Sequence, residues 1–536
     1  MMAINPQSLA RAVRNIAEYG DTDVLPFPIE NRWFFDEVDR VVSLLARLDA
    51  EFDDWIINYP VVSARVLAGV GYAGFRGVTQ IDPIWNAYLL ALVIEIGADI
   101  DAARVPKSKG VVFSYRFNDA PTDDNIFATD IGWEAYQRAA LQHATAHEFV
   151  VTTDIADYYS RAYHHRLENA LKHATHNTEV VRRVMLVLTK ISGGPSYGLP
   201  VGGPAARLLA ELLLNRVDRL ALAAGIHFIR FVDDYTLFGA SQPDAQKALV
   251  FLSEALLNNE GLTLSRAKTR FHTKSEFVRS SPIADPEEGE SIHELEIRQF
   301  LKLRLRYDPY SVTAKLDYSR LAESVERFNI TGMLARELRK SRIDEKLVRQ
   351  LVKSLRFMQV DVRNDAVLSL IQNLNTLYPV FTTIAIVIKE LLADLSPAVA
   401  SEVYSAIRTL IREQSHIVLV PANLAFALRL LADDPSEEAD ALLISLYNSS
   451  SEPMLKRDLI LLMARRRVDY WLSALLTKFA VLNPWERRAV LAASYVLADE
   501  GRHWRETSRR TLSIVDKEFV HWLASKHNGR SWEIPV

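Results

Sequence analysis

The chain has no cysteine among its 536 residues. That excludes a disulfide scaffold, a Cys-ligated zinc or iron–sulfur centre and a thiol nucleophile, and it suits a reducing compartment. Long hydrophobic runs are missing as well. No stretch approaches the roughly 18 apolar residues needed to span a bilayer, and the first residues lack the apolar core of a signal peptide. The expectation is a cytoplasmic protein without a membrane segment. A strong excess of positive charge is also absent: Lys+Arg number 63 against 67 Asp+Glu. Residues 1–300 hold 29 against 39, a net of −10, and residues 301–536 hold 34 against 28, a net of +6. Gripping a large nucleic acid by its backbone usually needs a marked basic excess.

The remainder of the composition, 49% hydrophobic and 24% charged, is that of a globular protein. The length implies two or three domains. Up to about residue 280 strand and helix patterns alternate, which predicts an α+β domain. Phe149 to Thr153 is a β-prone run ending at Asp154. Ile226 to Phe238 reads as two strands around a tight turn at Asp233-Asp234. Between them Pro204 to Leu222 is an amphipathic helix with Pro near its start. Ser281 to Glu290, rich in Pro and acid, predicts an exposed loop. The domain division is placed at 1–300 and 301–536.

The second part has helical periodicity almost throughout. Ser396-Pro397, Asp434-Pro435 and Asn483-Pro484 each pair a capping side chain with Pro at the first helical position. Glu437 and Glu486 follow three residues after their caps, as in a capping box. The starts lie 38 and 49 residues apart, close to the period of two-helix HEAT-type repeats.

The chemistry concentrates in two carboxylate sites on predicted strand ends, Asp154 in VTTDIADYY and Asp233-Asp234 in FIRFVDDYTLF. Taken singly, Asp154 reads as a helix cap and the Asp pair as a hairpin turn. Together, with a helix between them, they read as two adjacent strands that cluster like charges, and such a cluster needs a cation. Oxygen ligands suit Mg²⁺, held by one or two carboxylates and substrate phosphates. Two such ions clamp both oxygens of a phosphoryl transfer. His143 and His147 have helical i, i+4 spacing, but HATAHE lacks the zinc-protease pattern and is read as surface or packing histidines. Tryptophans near the C-terminus, among them Trp485 and Trp522, are read as core packing rather than base-stacking platforms.

The order of the motifs resembles the reverse transcriptases. DIADYY, Asp154 to Tyr159, is similar to their palm motif A, and YGLPVGGPAARLLAELLL, Tyr197 to Leu214, to motif B. FVDD, Phe231 to Asp234, is similar to motif C, and GLTLSRAKTRF, Gly261 to Phe271, to motif D. The resemblance implies a palm and fingers in the first domain. Asp154 and Asp233, with the adjoining Ile155, would hold two Mg²⁺ (Mn²⁺ in its place), and Asp234 would support them. Tyr159 and Ile155 would contact the incoming dNTP, the Tyr159 ring excluding a 2′-hydroxyl. Gly198, Gly202 and Gly203 would let the backbone approach nucleotide or template. Lys268 would protonate the leaving pyrophosphate. In VPKSKGVVFSYRF, Arg116 and Lys107, or Lys109 in place of Lys107, would grip the triphosphate.

The flanks resemble neither retroviral enzymes, which carry a ribonuclease H domain, nor group II intron enzymes, which append basic maturase regions. With helices following the palm, the chain resembles the abortive-infection (Abi) polymerases, including the prophage-encoded type of P2-like phages. That resemblance implies antiphage defence, a HEAT-like α-helical C-terminal domain and a homo-oligomer, trimer or hexamer. It also implies untemplated DNA synthesis primed by a protein hydroxyl, leaving single-stranded DNA attached to the protein. The priming residue is not selected among Tyr19, Tyr59, Tyr72, Tyr88 and Tyr197. The alternative is an RNA-templated reverse transcriptase working with a partner RNA in a defence system.

Overall fold

The computed structural model describes residues 4–120, 124–281, 292–303, 305, 314–527 and 532–536. The predicted loop Ser281–Glu290 lies, beyond its first residue, outside them. The chain divides into two units. The first comprises Met1–Asp23, Phe27–Ser63 and Thr79–Asp285, and the second Val24–Pro26, Ala64–Val78 and Pro286–Val536. The units thus part at Asp285/Pro286, beside the 300/301 division expected from the sequence, and a short early segment is counted with the second.

That early segment is the body of a hairpin, β1 (Ser63–Val70) and β2 (Gly74–Ile81). Its tip explains the grouping. The Tyr72 hydroxyl accepts from the Ile343 N–H at 2.7 Å, and the Tyr378 hydroxyl donates to the Tyr72 carbonyl. The two rings meet edge to face at 5.4 Å. Neither contact has a signal in the local sequence, because the partners lie some 300 residues away.

The first unit is built on a four-stranded antiparallel sheet: β3 (Phe149–Asp154), β4 (Phe228–Phe231), β5 (Asp234–Gly239) and β6 (Arg270–Thr273), in the order β4-β5-β3-β6. β3 is central, which suits its run of Val and Thr, residues that fit a pleated surface flanked on both sides. One face packs on the helix α1 (Trp133–Thr145), where Tyr136, Ala140 and Ala144 meet Val150, Ile229 and Phe238. Burying each large side chain there stabilises by about 1.5–3 kcal/mol. His143 belongs to this packing, its ring stacked on Phe238 at 5.1 Å. Three further helices follow: α2 (His164–Ala174) packs on α3 (Pro204–Ala223), α3 packs on α4 (Gln242–Glu260), and α4 packs on β5 and β3. α3 begins with Pro in its first turn after Gly203, and α4 is capped by the Ser241 side chain and ended by Gly261 at φ 68°. The predicted β3, β4–β5 pair and α3 are all present. The turn falls at Val232-Asp233, one residue before the predicted position, and Asp234 opens β5.

In the second unit every described element from residue 292 onward is helical. Alternate helices stack in a row: α5 (Phe381–Leu391), α6 (Pro421–Leu430), α7 (Pro453–Arg465), α8 (Pro484–Ala493) and α9 (Ile514–Lys526). Trp485 and Trp522 are fully buried in it. Ser396 and Asn483 cap their helices as predicted, the latter with Glu486 in a capping box. Asp434 does not. Its helix starts at Glu437 behind Ser436, because Asp434 is buried in an ion pair with Arg408 and accepts the Ser436 N–H at 3.0 Å.

The sequence reading found no stretch long and apolar enough for a membrane span. Among the described residues one meets that length and hydropathy, Leu374–Asp394, and half of it is buried within the protein. A second stretch qualifies only if Pro83–Glu95 and Gly97–Lys109, bent by 53°, are taken as one.

Candidate active site

Asp154 is the last residue of β3 and faces Asp234, the first of β5, in register. Asp233 stands beside them in the turn. Its carbonyl accepts the Ile155 N–H at 3.1 Å, which ties the two carboxylate-bearing segments together directly beyond the strands. Lys268 reaches the same point by a turn. The Ser265 N–H bonds the Asp154 carbonyl at 2.7 Å and the Lys268 N–H closes on Ser265, so the Lys268 Nζ sits 2.7 Å from the Asp154 carboxylate. A cavity of about 290 Å³ lined by Trp133, Tyr136, Thr153, Asp154, Asp234 and Lys268 opens beside it.

The electrostatics are those of crowded anions. Burial, then the charges of Asp154 and Asp234, push the Asp233 carboxyl up to about 7. Burial and Asp154 push Asp234 up to about 6. Burial alone would lower Lys268, but the bond to Asp154 and the three carboxylate charges outweigh it and hold its ammonium above the usual value.

The turn that presents Asp233 is strained. Val232 has φ 57°, a conformation rarely tolerated by a β-branched residue and costing about 1–3 kcal/mol. Both its backbone groups are held from below. The Val232 N–H donates to the Ser114 Oγ at 2.9 Å, and the Arg230 Nη1 donates to the Val232 carbonyl at 2.7 Å. Ser114 donates in turn to Glu211 at 2.6 Å, and Arg230 is clamped by Asp218 at 2.6 Å and Glu211 at 3.0 Å. Arg104 closes the network on Glu211 at 2.5 Å. All five side chains are buried. An unpaired charge there would cost several kcal/mol, so the network resists any relaxation of the turn. Sequence reasoning missed these residues. Their signal was a single charge inside an apolar run, Glu211 in LLAELLL and Arg230 in HFIRF.

Tyr159 approaches from the other side. Burial, with Tyr115 and Glu211 next, holds its hydroxyl neutral, and Asp233 adds to the shift. Its carbonyl accepts the Leu199 N–H at 2.7 Å, bringing the loop of Gly198 (φ 101°) and Gly202 (φ 131°) against it. Arg207, in the first turn of α3, lies over the Tyr115 ring at 5.1 Å and pairs with Asp23. It is a cation beside Tyr115 and Tyr159 that the sequence reading did not single out, although it lies within the quoted Tyr197–Leu214 segment. Ile155 is buried behind Asp154.

The expected triphosphate grip is not assembled. Arg116 is 1% exposed, and its guanidinium donates to the Val105 carbonyl and pairs with Asp101 at 3.4 Å. It presents no fork to a phosphate. Lys107 is exposed and paired with Asp130 at 3.1 Å.

The donor set fits a hard divalent cation: three carboxylates crowded until two resist ionisation, and a lysine serving as resident counter-charge. Among the described residues no three His, Asp or Glu side chains converge tightly enough to hold a metal by themselves. Magnesium sites of one or two carboxylates are completed by substrate phosphates.

The family comparison covers the segment that carries this geometry. Residues 112–299 match the family described as reverse transcriptase (RNA-dependent DNA polymerase). The retron Ec86 reverse transcriptase of Escherichia coli is 30% identical over 146 residues, 26% of this chain and 43% of that protein. The chain thus spans less than half the length of the curated relative it matches. Among solved structures, telomerase from Candida albicans with a fragment of telomeric RNA aligns over 70% of each chain at 11% identity and a TM-score of 0.29. Apo telomerase from Candida tropicalis aligns over 80% of this chain and 73% of its own at 10% identity and a TM-score of 0.29. The site residues Asp154, Asp233, Asp234 and Lys268 all fall within the segment, residues 112–299, that is similar to the reverse transcriptases.

Proposed function

We propose that the chain is a phage-defence DNA polymerase that builds untemplated single-stranded DNA from dNTPs, primed by one of its own hydroxyls. The observation that carries the polymerase reading is the Asp154–Asp234 register with Asp233 in the braced turn and Lys268 alongside. Divalent cations bound at Asp154 and Asp233, Mg²⁺ or Mn²⁺, would supply the charge neutralisation that two-metal transfer requires. The chain's own residues do the rest. Asp154, Ile155 and Asp233 receive the triphosphate end of the nucleotide, Asp234 supports the carboxylate pair, and the Tyr159 ring lies under the sugar and excludes a 2′-hydroxyl. Lys268, on an exposed four-carbon stem, turns from Asp154 and gives its proton to the departing pyrophosphate. Positioning and electrostatics account for most of the rate in such transfers.

The defence role, the untemplated product and a trimer or hexamer rest on the resemblance to the Abi polymerases, as does a HEAT-like reading of the stacked α5–α9 row. Among the tyrosines considered for priming, Tyr88 is a poor candidate, since it is fully buried and its hydroxyl is bonded to Asp49 and Arg183. Tyr19 and Tyr197 are more than half exposed. A second reading, RNA-templated synthesis with a partner RNA, is favoured by the similarity to the retron enzyme.

The test is incubation of purified protein with labelled dNTPs and Mg²⁺, without template or primer, beside Asp233→Asn. Label retained on the protein and released by protease supports self-priming. Product that forms only after RNA and a primer are added establishes the second reading instead.

A further inference from the structure

The first unit has a second, larger concavity away from the carboxylates. α2, the C-terminal half of α3 and the end of α4 enclose a cavity of about 820 Å³. Arg166 and Glu260 line both it and a neighbouring cavity of about 520 Å³, which makes one groove of the two. No residue lining the carboxylate cavity lines either. Arg216 stands twelve residues after Pro204, about 18 Å along α3 at 1.5 Å per residue.

The groove is positively charged, within a part of the chain whose net charge is −10. Arg161, Arg166, Arg216 and Arg219 line it. Arg161 has only the exposed Asp157 at 3.8 Å, and Arg219 donates to the Ala103 carbonyl at 2.7 Å. Arg166 and Arg216 are exposed and, among the described residues, make no ion pair. The one acid on the floor, Glu260, is 8% exposed, and its Oε2 has no hydrogen-bond partner. Burial pushes it up to about 7, against the pull of Arg166 and Arg216. Two exposed arginines thus stand around one buried carboxyl, leaving a net positive groove.

An aromatic platform adjoins the charges. Tyr197 is 52% exposed, and its ring stacks on Tyr163 at 4.8 Å and 26°. Arginines that follow a phosphate chain beside an exposed, backed aromatic ring are the components of single-strand recognition. We propose that this groove binds a single-stranded nucleic acid, with Arg166 and Arg216 on the backbone phosphates and Tyr197 stacking a base. The site is separate from the carboxylates and does not depend on the polymerase reading.

The test uses the full chain in EDTA without dNTPs, so that synthesis is silent, and fluorescence anisotropy of labelled twelve-nucleotide oligo-dT and oligo-U. Arg166→Ala with Arg216→Ala should weaken binding at least about 10-fold. It should also lower the slope of log K against log salt by about 1.4, at roughly 0.7 per phosphate contact on a single strand. Tyr197→Ala should weaken binding about 5-fold or more. Glu260→Gln, which removes the opposing charge without changing shape, should tighten it. The two oligomers distinguish the source: equal affinity means backbone recognition of either strand, and a preference identifies DNA or RNA. Should the double variant fold poorly by circular dichroism, Arg216→Glu alone replaces it, with the same direction expected. Unchanged affinity in the arginine variants, or weaker binding in Glu260→Gln, overturns the proposal. A change in oligomer mass with oligonucleotide affinity intact overturns it in favour of a protein interface.

Discussion

Asp233, half-buried in the first unit, and Asp458, buried in the second, come out on opposite sides of the usual carboxylate range. Asp458, on α7, is fully buried, and burial alone would raise it. Arg429 at 3.1 Å and Arg457 at 2.8 Å outweigh that and hold it low. Asp233 has no arginine partner among the described residues. Burial and two more aspartates outweigh the pull of Lys268, and it rises to about 7. The second unit spends its arginines on satisfying its acids: Arg408 on Asp434, and Arg465 on Asp433 at 2.7 Å. The first unit does the same one layer beneath the site, with Arg230, Asp218 and Glu211, and stops short of the surface carboxylates. Three crowded carboxylates with a single lysine beside them have the chemistry to accept an external cation.

The largest effect should come from breaking that cluster. Asp233→Asn is expected to reduce nucleotide incorporation about 10³-fold, with the folded state retained by circular dichroism. The matched change in the second unit, Asp458→Asn, should act on stability instead, because it removes the carboxylate charge that Arg429 and Arg457 face in the core. Removing one partner from such a buried pair costs about 3–5 kcal/mol, read as a lower urea midpoint. If Asp458→Asn proved neutral for stability, the contrast between the two sites would collapse.

The brace under the turn gives a smaller and more selective effect. Ser114→Ala leaves the Val232 N–H without its acceptor and takes one donor from Glu211 Oε1, which keeps Arg230 at 3.2 Å, at a cost of about 1–3 kcal/mol. Ser114 touches no substrate, so it is a positioning residue. kcat should fall about 10-fold while the KM for dNTP stays unchanged. A rise in KM alone would mean that Ser114 shapes the nucleotide pocket rather than the turn. Tyr159→Ala should admit ribonucleotides, shifting the ratio of dNTP to rNTP use by about 10-fold or more. Unchanged discrimination would remove Tyr159 as the gate.

Much of the site was legible from the chain. Strand patterns on either side of a leucine-rich helix placed Asp154 and the Asp233-Asp234 pair, and both strands formed there because alternation and β-branching are local signals. The turn slipped by one residue because Val232 adopts a positive φ that local preference forbids and only the Ser114–Arg230 brace enforces. Arg116 failed as a phosphate grip for a similar reason. Arginine in a surface-like segment suggests an anion ligand, but Val105 and Asp101, met only after folding, take its guanidinium. Asp434 failed as a cap because Arg408, far along the chain, claims it. In each case an ion pair or hydrogen bond formed only in the folded chain overrode a short-range motif. The Tyr72 contacts and the Arg166–Arg216 groove were hidden on the same ground.

The finest prediction concerns pH, where the two aspartates should respond with opposite signs. A carboxyl raised in the folded state binds its proton more tightly folded than unfolded. The stability linked to Asp233 and Asp234 is therefore fully present below the unfolded value of about 3.9 and is lost as the pH rises through about 6 to 7. Asp458 is lowered, so its contribution is present above about 3.9 and is lost as the pH falls through its folded value. Between pH 4 and 7.5 the melting temperature of the wild type should decline relative to Asp233→Asn by about 2–4 °C for each kcal/mol involved. Asp458→Asn should show no such relative gain in that window. Mg²⁺ at pH 7.5 should restore the wild type and leave Asp233→Asn less affected, because a cation that binds the ionised cluster supplies the charge that Lys268 alone does not. Parallel pH curves for wild type and Asp233→Asn, with and without Mg²⁺, would mean that the cluster is already neutralised by the protein and that no cation site exists there.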